Sequence, residues 1–339
     1  GMTVLEGTVL AGRSFDPITG RVVVEDGRIA AVEEGETDST DIILPAFVNA
    51  HTHLGDSVAK EAAVGLGLEA AVAPPDSRKH RRLAAASHDE LVTAMRRTLR
   101  FVRRTGTVTC LDFRESGVEG ARALREAAAP LEVDPFIFGS DDPAVLEVAD
   151  GFGASGANDD DFTEQRAAAR TADVPFAIHA GEPDASDIDP ALAYDPELLV
   201  HMVHAEADHL ERVRDRSIPV AVCPRANTVL DVGTPPIREL LDHTTVALGT
   251  DNVMLNPPSM LQEMAYTAKH HDVTEREVLR MATTAGAEVA GLDCGVVEAG
   301  RPAALTVVDG DSDNLVGTAD PIRAVVRRAT ALDVTNVLV

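Results

Sequence analysis

The pair His51-Thr52-His53 is the first point in this chain where residue type and spacing can do chemistry. It directly follows the apolar run Ile42-Ile43-Leu44-Pro45-Ala46-Phe47-Val48-Asn49-Ala50. On a strand, residues i and i+2 face the same way, so the pair can aim two imidazoles at one ion. Alone it is a weak signal, because short His-x-His runs also occur in surface loops. Further polar groups follow apolar runs downstream: His179 and Glu182 after Phe176-Ala177-Ile178, His201 after Leu198-Leu199-Val200, and Asp251 after Val246-Ala247-Leu248-Gly249-Thr250. Three neutral imidazoles with one carboxylate make a donor set that suits a divalent zinc or iron ion.

These groups need elements that carry them to one place. Apolar runs at 43–49, 107–113, 131–138, 151–154, 176–180, 198–203, 219–223 and 245–250 read as eight strands, with helical periodicity between them, for example at 90–99 and 259–266. That alternation is the α/β pattern of a (β/α)8 TIM barrel, in which functional groups sit at the C-terminal strand ends. Residues 2–45 are instead β-rich and short-stranded, with Thr8-Val9-Leu10, and with Arg21 to Glu25 followed by the hairpin signal Asp26-Gly27. The chain end, with Leu305 to Val308, Ala324 to Arg327 and Val334 to Val337, is similar. Neither end can make a sheet domain alone, so the two are expected to pack as one discontinuous β-unit.

Composition narrows the partners. With 339 residues, a net charge of -26 and a pI near 4.7, the chain has room for a large core and repels nucleic acid and anionic membranes. Lysine occurs only at Lys60, Lys79 and Lys269, and an acidic, lysine-poor surface suits the cytoplasm of a salt-loving microbe. Cys110, Cys223 and Cys294 are far apart and odd in number, which fits a reducing compartment. Gly1 ahead of Met2 reads as a cloning remnant. The segment after it has neither a basic leader nor a long apolar run, so the expectation is a protein neither secreted nor membrane-spanning.

The motifs together resemble the amidohydrolase superfamily, in its branch of cytosine, guanine and S-adenosylhomocysteine deaminases and triazine chlorohydrolases. The resemblance runs from Pro45-Ala46-Phe47-Val48-Asn49-Ala50-His51-Thr52-His53 through His179-Ala180-Gly181-Glu182, Cys223-Pro224-Arg225-Ala226-Asn227 and Gly249-Thr250-Asp251 to Glu298-Ala299-Gly300-Arg301-Pro302. It implies a distorted barrel over residues 46–294 beside a small β-sandwich of residues 2–45 and 295–339. It implies that His51, His53, His179 and Asp251 hold one divalent metal, zinc foremost or iron, with Glu182, His201 and Asp251 as catalytic groups. Two-metal relatives commonly bridge their ions with a carboxylated lysine at the end of strand 4. No lysine lies near that strand, and residues 151–156 offer no glutamate, so a single metal is expected.

The expected reaction is hydrolytic deamination of an amino-substituted heterocycle (a nucleobase, nucleoside or pterin-like compound). Metal-activated water attacks the ring carbon that bears the amino group, Glu182 shuttles protons, Asp251 accepts one, and His201 steadies the new bond. Hydrolysis of a cyclic amide, an imidazolone or a halogenated ring is the alternative enzyme reading, and a non-catalytic metal-binding homologue the alternative class. Relatives of this kind often form oligomers.

Other residues carry weaker signals. His204 competes with His201 for the strand-6 role, and Asn227 is a candidate substrate contact or a turn former. Asp56 and Ser57 read as loop-stabilising. The basic run Arg78, Lys79, His80, Arg81, Arg82 reads first as a solvated face, with Lys79 and Arg78 as candidates for an anionic substrate. Residues 56–87 are the expected specificity element, able to cover the mouth or to reach another subunit.

Overall fold

A computed structural model describes all 339 residues. The chain begins with four strands, β1 (Met2–Ala11), β2 (Asp16–Glu25), β3 (Arg28–Glu34) and β4 (Ile42–Pro45). β1 pairs antiparallel with β2 along its whole length, and β2 with β3. Asp26 and Gly27 join β2 to β3 with φ of 49° and 77°. Both central turn residues are therefore left-handed, the twist that suits a two-residue hairpin and the reason an Asp-Gly pair stands there.

The chain changes sheets at Ala46, whose N–H donates to the Ala304 carbonyl. What reads in sequence as one strand over 43–49 is thus β4 followed by β5 (Phe47–His53) in a different sheet. The second sheet continues with β6 (Thr107–Phe113), β7 (Phe136–Gly139), β8 (Gly151–Ala154), β9 (Phe176–Ala180), β10 (Leu198–His201), β11 (Val220–Val222), β12 (Val246–Leu248) and β13 (Asp251–Asn252). These nine strands are ordered β12-β11-β10-β9-β8-β7-β6-β5-β13, and they run parallel.

One stretch of chain supplies both edges. β12 pairs with β11 while β13, two residues later, pairs with β5 through Asp251↔Thr52 and Asn252↔His53. The Gly249 N–H reaches Val222 O and the Thr250 N–H reaches His51 O. The sheet therefore closes into an eight-stave (β/α)8 barrel of the TIM type. Its staves are buried on both faces, which is why they read as near-continuous apolar runs.

Most staves fall where the sequence predicts them. β7 is an exception, since it starts at Phe136 rather than at residue 131. Pro135 lacks an N–H for the ladder and restricts Asp134 before it, so pairing begins only beyond the proline. Helices His88–Arg104 and Met260–His270 occupy the two predicted helical windows. The second is capped by the Ser259 hydroxyl, which accepts from the Gln262 N–H.

β14 (Leu305–Val308) and β15 (Val334–Leu338) return to the first sheet, whose order is β15-β14-β4-β1-β2-β3. β14 lies antiparallel to β4, so both chain ends build one mixed sheet. Its apolar side holds Val9, Val22, Ile29, Ile43, Leu305 and Val307, each buried. By their contacts, residues 1–49, 101–109 and 259–339 make one compact unit and residues 50–100 and 110–258 a second. No helix is long and apolar enough to cross a membrane.

Candidate metal centre and active site

The functional groups of the second unit gather at the C-terminal ends of the staves. His51 and His53 come from β5, His179 from β9, His201 from β10 and Asp251 from β13. Two of these residues have left-handed backbone, His201 with φ 87° and Asp251 with φ 61°. Non-glycine residues rarely adopt such angles, and they concentrate where a strand end must re-aim a side chain.

Four donor atoms converge. His51 Nε2 lies 3.2 Å from His179 Nε2 and 3.2 Å from Asp251 Oδ1, and His53 Nε2 is 3.4 Å from the same oxygen. Donors about 2.0 to 2.1 Å from a tetrahedral zinc stand roughly 3.3 to 3.4 Å from one another, so these spacings fit a cation cradle. The ring orientations agree. His179 Nδ1 lies 3.0 Å from the Ala154 carbonyl, which can only accept, so Nδ1 carries the proton and Nε2 presents its lone pair. His53 Nδ1, 3.1 Å from Glu115 Oε1, is held the same way.

Burial pushes the His51 and His179 imidazoles below their ordinary range and His53 down to about 3. Neutral imidazole is the form that binds metal.

Beside the cradle sits a second pair. His201 Nε2 is 2.5 Å from Glu182 Oε2 and 3.7 Å from Asp251 Oδ2. Burial alone would lower the His201 value, but the carboxylates of Glu182, Asp251 and Asp187 together outweigh it and raise it. Burial would likewise raise Glu182, and His201 holds it down. Glu182 reaches this place because Gly181, at φ 67°, turns the chain after β9, and the Gly181 N–H is anchored on Asp187 Oδ1 at 2.7 Å.

Asn227 is fully buried, with Nδ2 3.3 Å from His201 Nδ1. It therefore adjoins the histidine, and its amide can serve either charge state of the ring by presenting nitrogen or oxygen. His204 lies elsewhere, donating from Nε2 to the Val232 carbonyl at 2.7 Å. Arg78 is exposed and donates to the Ala62 carbonyl.

Lys79 behaves unlike the rest of its basic run. It is 3 % exposed, and Nζ contacts Glu115 and lies 3.5 Å from Asp56 Oδ1. Asp56, read from sequence as a loop residue, is fully buried and accepts from Asn252 Nδ2 at 2.8 Å. Burial pushes its carboxyl up to about 6. Ser57 does serve the loop, donating to Leu54 O at 2.6 Å.

Sequence reasoning missed Arg114 and Glu115. They follow β6, and two charged residues at the end of an apolar stave were the available signal. The Arg114 guanidinium is 1 % exposed and pairs with Glu115. It fills the space where a Cβ on Gly55 would stand, only 2.0 Å from Nη2. Asp112, behind it, accepts from Thr52 Oγ1 and the Leu54 N–H and ties β6 to the end of β5.

A closed parallel barrel with a histidine–carboxylate cation cradle at its C-terminal mouth defines the class of metal-dependent barrel hydrolases. Within that class, residues 42–339 match the amidohydrolase family. The chain belongs to the amidohydrolase family and is a hydrolase acting on carbon–nitrogen bonds other than peptide bonds.

It is 33 % identical to a protein of Methanothermobacter thermautotrophicus whose aminohydrolase name is itself provisional, covering 100 % of this chain and 97 % of that one. It is 26 % identical to the 5-methylthioadenosine/S-adenosylhomocysteine deaminase of Halobacterium salinarum, over 99 % of this chain and 88 % of the relative. Among solved structures, it superposes on the zinc complex of atrazine chlorohydrolase from Arthrobacter aurescens TC1 with a TM-score of 0.82 at 20 % identity, covering 99 % and 93 % of the two chains.

Proposed function

We propose that this protein is a metal-dependent hydrolytic deaminase of an amino-substituted heterocycle (a nucleobase, nucleoside or pterin-like small molecule). The observation that carries the reading is Glu182, a buried carboxylate outside the cradle but 2.5 Å from His201, which is itself 3.7 Å from Asp251. A cation-binding module has no need of that pair, whereas moving an amine out of a ring needs a proton carrier beside the reacting carbon. The deaminase name of the Halobacterium salinarum relative agrees with it.

His51, His53, His179 and Asp251 would hold one divalent ion, zinc foremost. Such an ion supplies a Lewis acid that brings water's pKa from about 15.7 towards about 7. The chain's own groups then divide the proton work. Asp251 turns Oδ1 to His51 and His53 and Oδ2 to His201, so Oδ2 is free to take the proton released as water becomes the nucleophile. That proton passes by way of His201 to Glu182, which places it on the ring nitrogen. The second proton, lost as the added hydroxyl becomes the ring carbonyl, follows the same path to the departing amine, which leaves as ammonia, and both carboxylates end as they began. His201, held by Asn227, donates towards the oxygen that adds to the ring and stabilises charge developing there.

The test measures ammonia release over a panel of amino-purines, amino-pyrimidines, their nucleosides and pterins, together with metal content. Wild type should carry about one zinc per chain and release ammonia from a member of the panel. Glu182→Gln should keep the metal and lose about 10²- to 10⁴-fold in kcat. Full activity in Glu182→Gln, or a wild type that binds no metal, would sink the proposal.

A further inference from the structure

Lys79 is the one residue of its basic run drawn wholly inside. Arg78, Arg81 and Arg82 on the same helix, Arg78–Ala85, are exposed, whereas Lys79 is buried. Its ammonium has two carboxylate neighbours, and each leads to the cradle by a separate route. Glu115 Oε1, which Lys79 contacts, lies 3.1 Å from His53 Nδ1, while the other Glu115 oxygen is taken by Arg114. Asp56 Oδ1, 3.5 Å from Nζ, has no hydrogen-bond partner, and Asp56 Oδ2 accepts from Asn252, the residue after Asp251. Burial alone would lower the lysine's pKa, but Asp56 and Glu115 outweigh it and keep it charged.

We infer that Lys79 is a positioning residue for the cation cradle, a built-in ammonium that holds Glu115 on His53 from one side and Asp56 on Asn252 from the other. The inference rests on the cation site proposed above. Its physical basis is charge. Asp56, Glu115 and Asp251 all act electrostatically on Lys79. Arg114 holds the far oxygen of Glu115, but without Lys79 the near oxygens of Asp56 and Glu115 lose their cation, and the carboxylates repel one another or swing towards the cradle as extra ligands. With Lys79 present, Glu115 Oε1 stays on the outer nitrogen of His53, which orients the ring and leaves Nε2 for the ion. The segment after β5 is therefore a wall of the site, since its helix delivers a group on which two ligand positions depend.

Zinc affinity tests this without any substrate. Purified wild type, Lys79→Met, Glu115→Gln and the double variant are titrated against a chromophoric chelator, and the cobalt-substituted proteins are compared by their visible spectra. Lys79→Met should fold, bind zinc about 10- to 100-fold more weakly and shift the cobalt bands. In the Glu115→Gln background it should cause a smaller further loss, because the route through Glu115 is already cut and only the one through Asp56 remains. Wild-type affinity and spectrum in Lys79→Met would overturn the inference while leaving the metal site standing; a wild type that binds no zinc removes both. Should Lys79→Met not fold, Glu115→Gln and Asp56→Asn decide together, since an unchanged affinity in both breaks the two links on which Lys79 acts.

Discussion

Gly55 and Arg114 show how single residues set this site. The guanidinium is almost fully buried, contacts Glu115 and occupies the place of a Cβ on residue 55. A buried cation cannot retreat into solvent at small cost, so Gly55→Ala forces either Arg114 or the turn after β5 to move. The expected cost is about 1–3 kcal/mol, read as a lower urea midpoint, together with weaker zinc binding as Glu115 loses a partner. An unchanged midpoint would show that Arg114 has another place to go. At this scale the sequence exposed the histidines, Glu182 and Asp251 through their types and their position after apolar runs. Glu115 was hidden, and Lys79 was named only as a candidate for an anionic substrate, because a lysine in a run of arginines looks solvated until the carboxylate that meets it, on a distant stave, is known.

Strands and turns convert those residue types into aim. The staves β6, β8 and β9 lie where apolar patterning puts them, since burial on both faces leaves an unbroken apolar run. The left-handed backbone at His201 and Asp251 left no trace in composition. It is imposed by the junction of each stave with its loop, not by a local glycine preference.

Element ends elsewhere are fastened by ordinary hydrogen bonding, as at Asp333 just before β15. Its carboxylate accepts from Ser312 Oγ, Asn314 Nδ2 and the Thr330 N–H at 2.6, 2.9 and 2.8 Å. Burial would raise its pKa, but these donors outweigh it and lower the value. A carboxylate whose folded pKa is depressed stabilises the fold above its unfolded value, 3.8, and the gain is lost as pH falls through the folded value. Asp333→Ala should therefore cost about 1–3 kcal/mol at pH 7, and the gap to wild type should narrow only below pH 3.8. Urea melts of both proteins across that range check this, and a gap that is the same at every pH would contradict it.

On the scale of the whole molecule, the net charge of -26 acts on every element at once. Screening shortens from about 10 Å at 0.1 M salt to about 3 Å at 1 M, so self-repulsion should fall and the thermal midpoint should rise between about 0.1 and 2 M KCl. Calorimetry over that range tests it, and a flat or falling midpoint would mean that local pairs already neutralise the surface. Closure of the barrel is the other whole-molecule property. The alternation of apolar runs with helical segments determines an α/β barrel with a β-unit from both termini, because strand and helix periods are properties of the local chain. The donor types at the strand ends are determined just as locally, and with them the kind of ion they suit. Only the tertiary structure decided that the chain switches sheets at Ala46, that β12 and β13 close the ring, and that Lys79, Asp56 and Arg114 stand together with Glu115, which meets His53. Those outcomes depend on which distant backbone and charge each group meets, and burial of a charge is settled by its partner rather than by its neighbours in sequence.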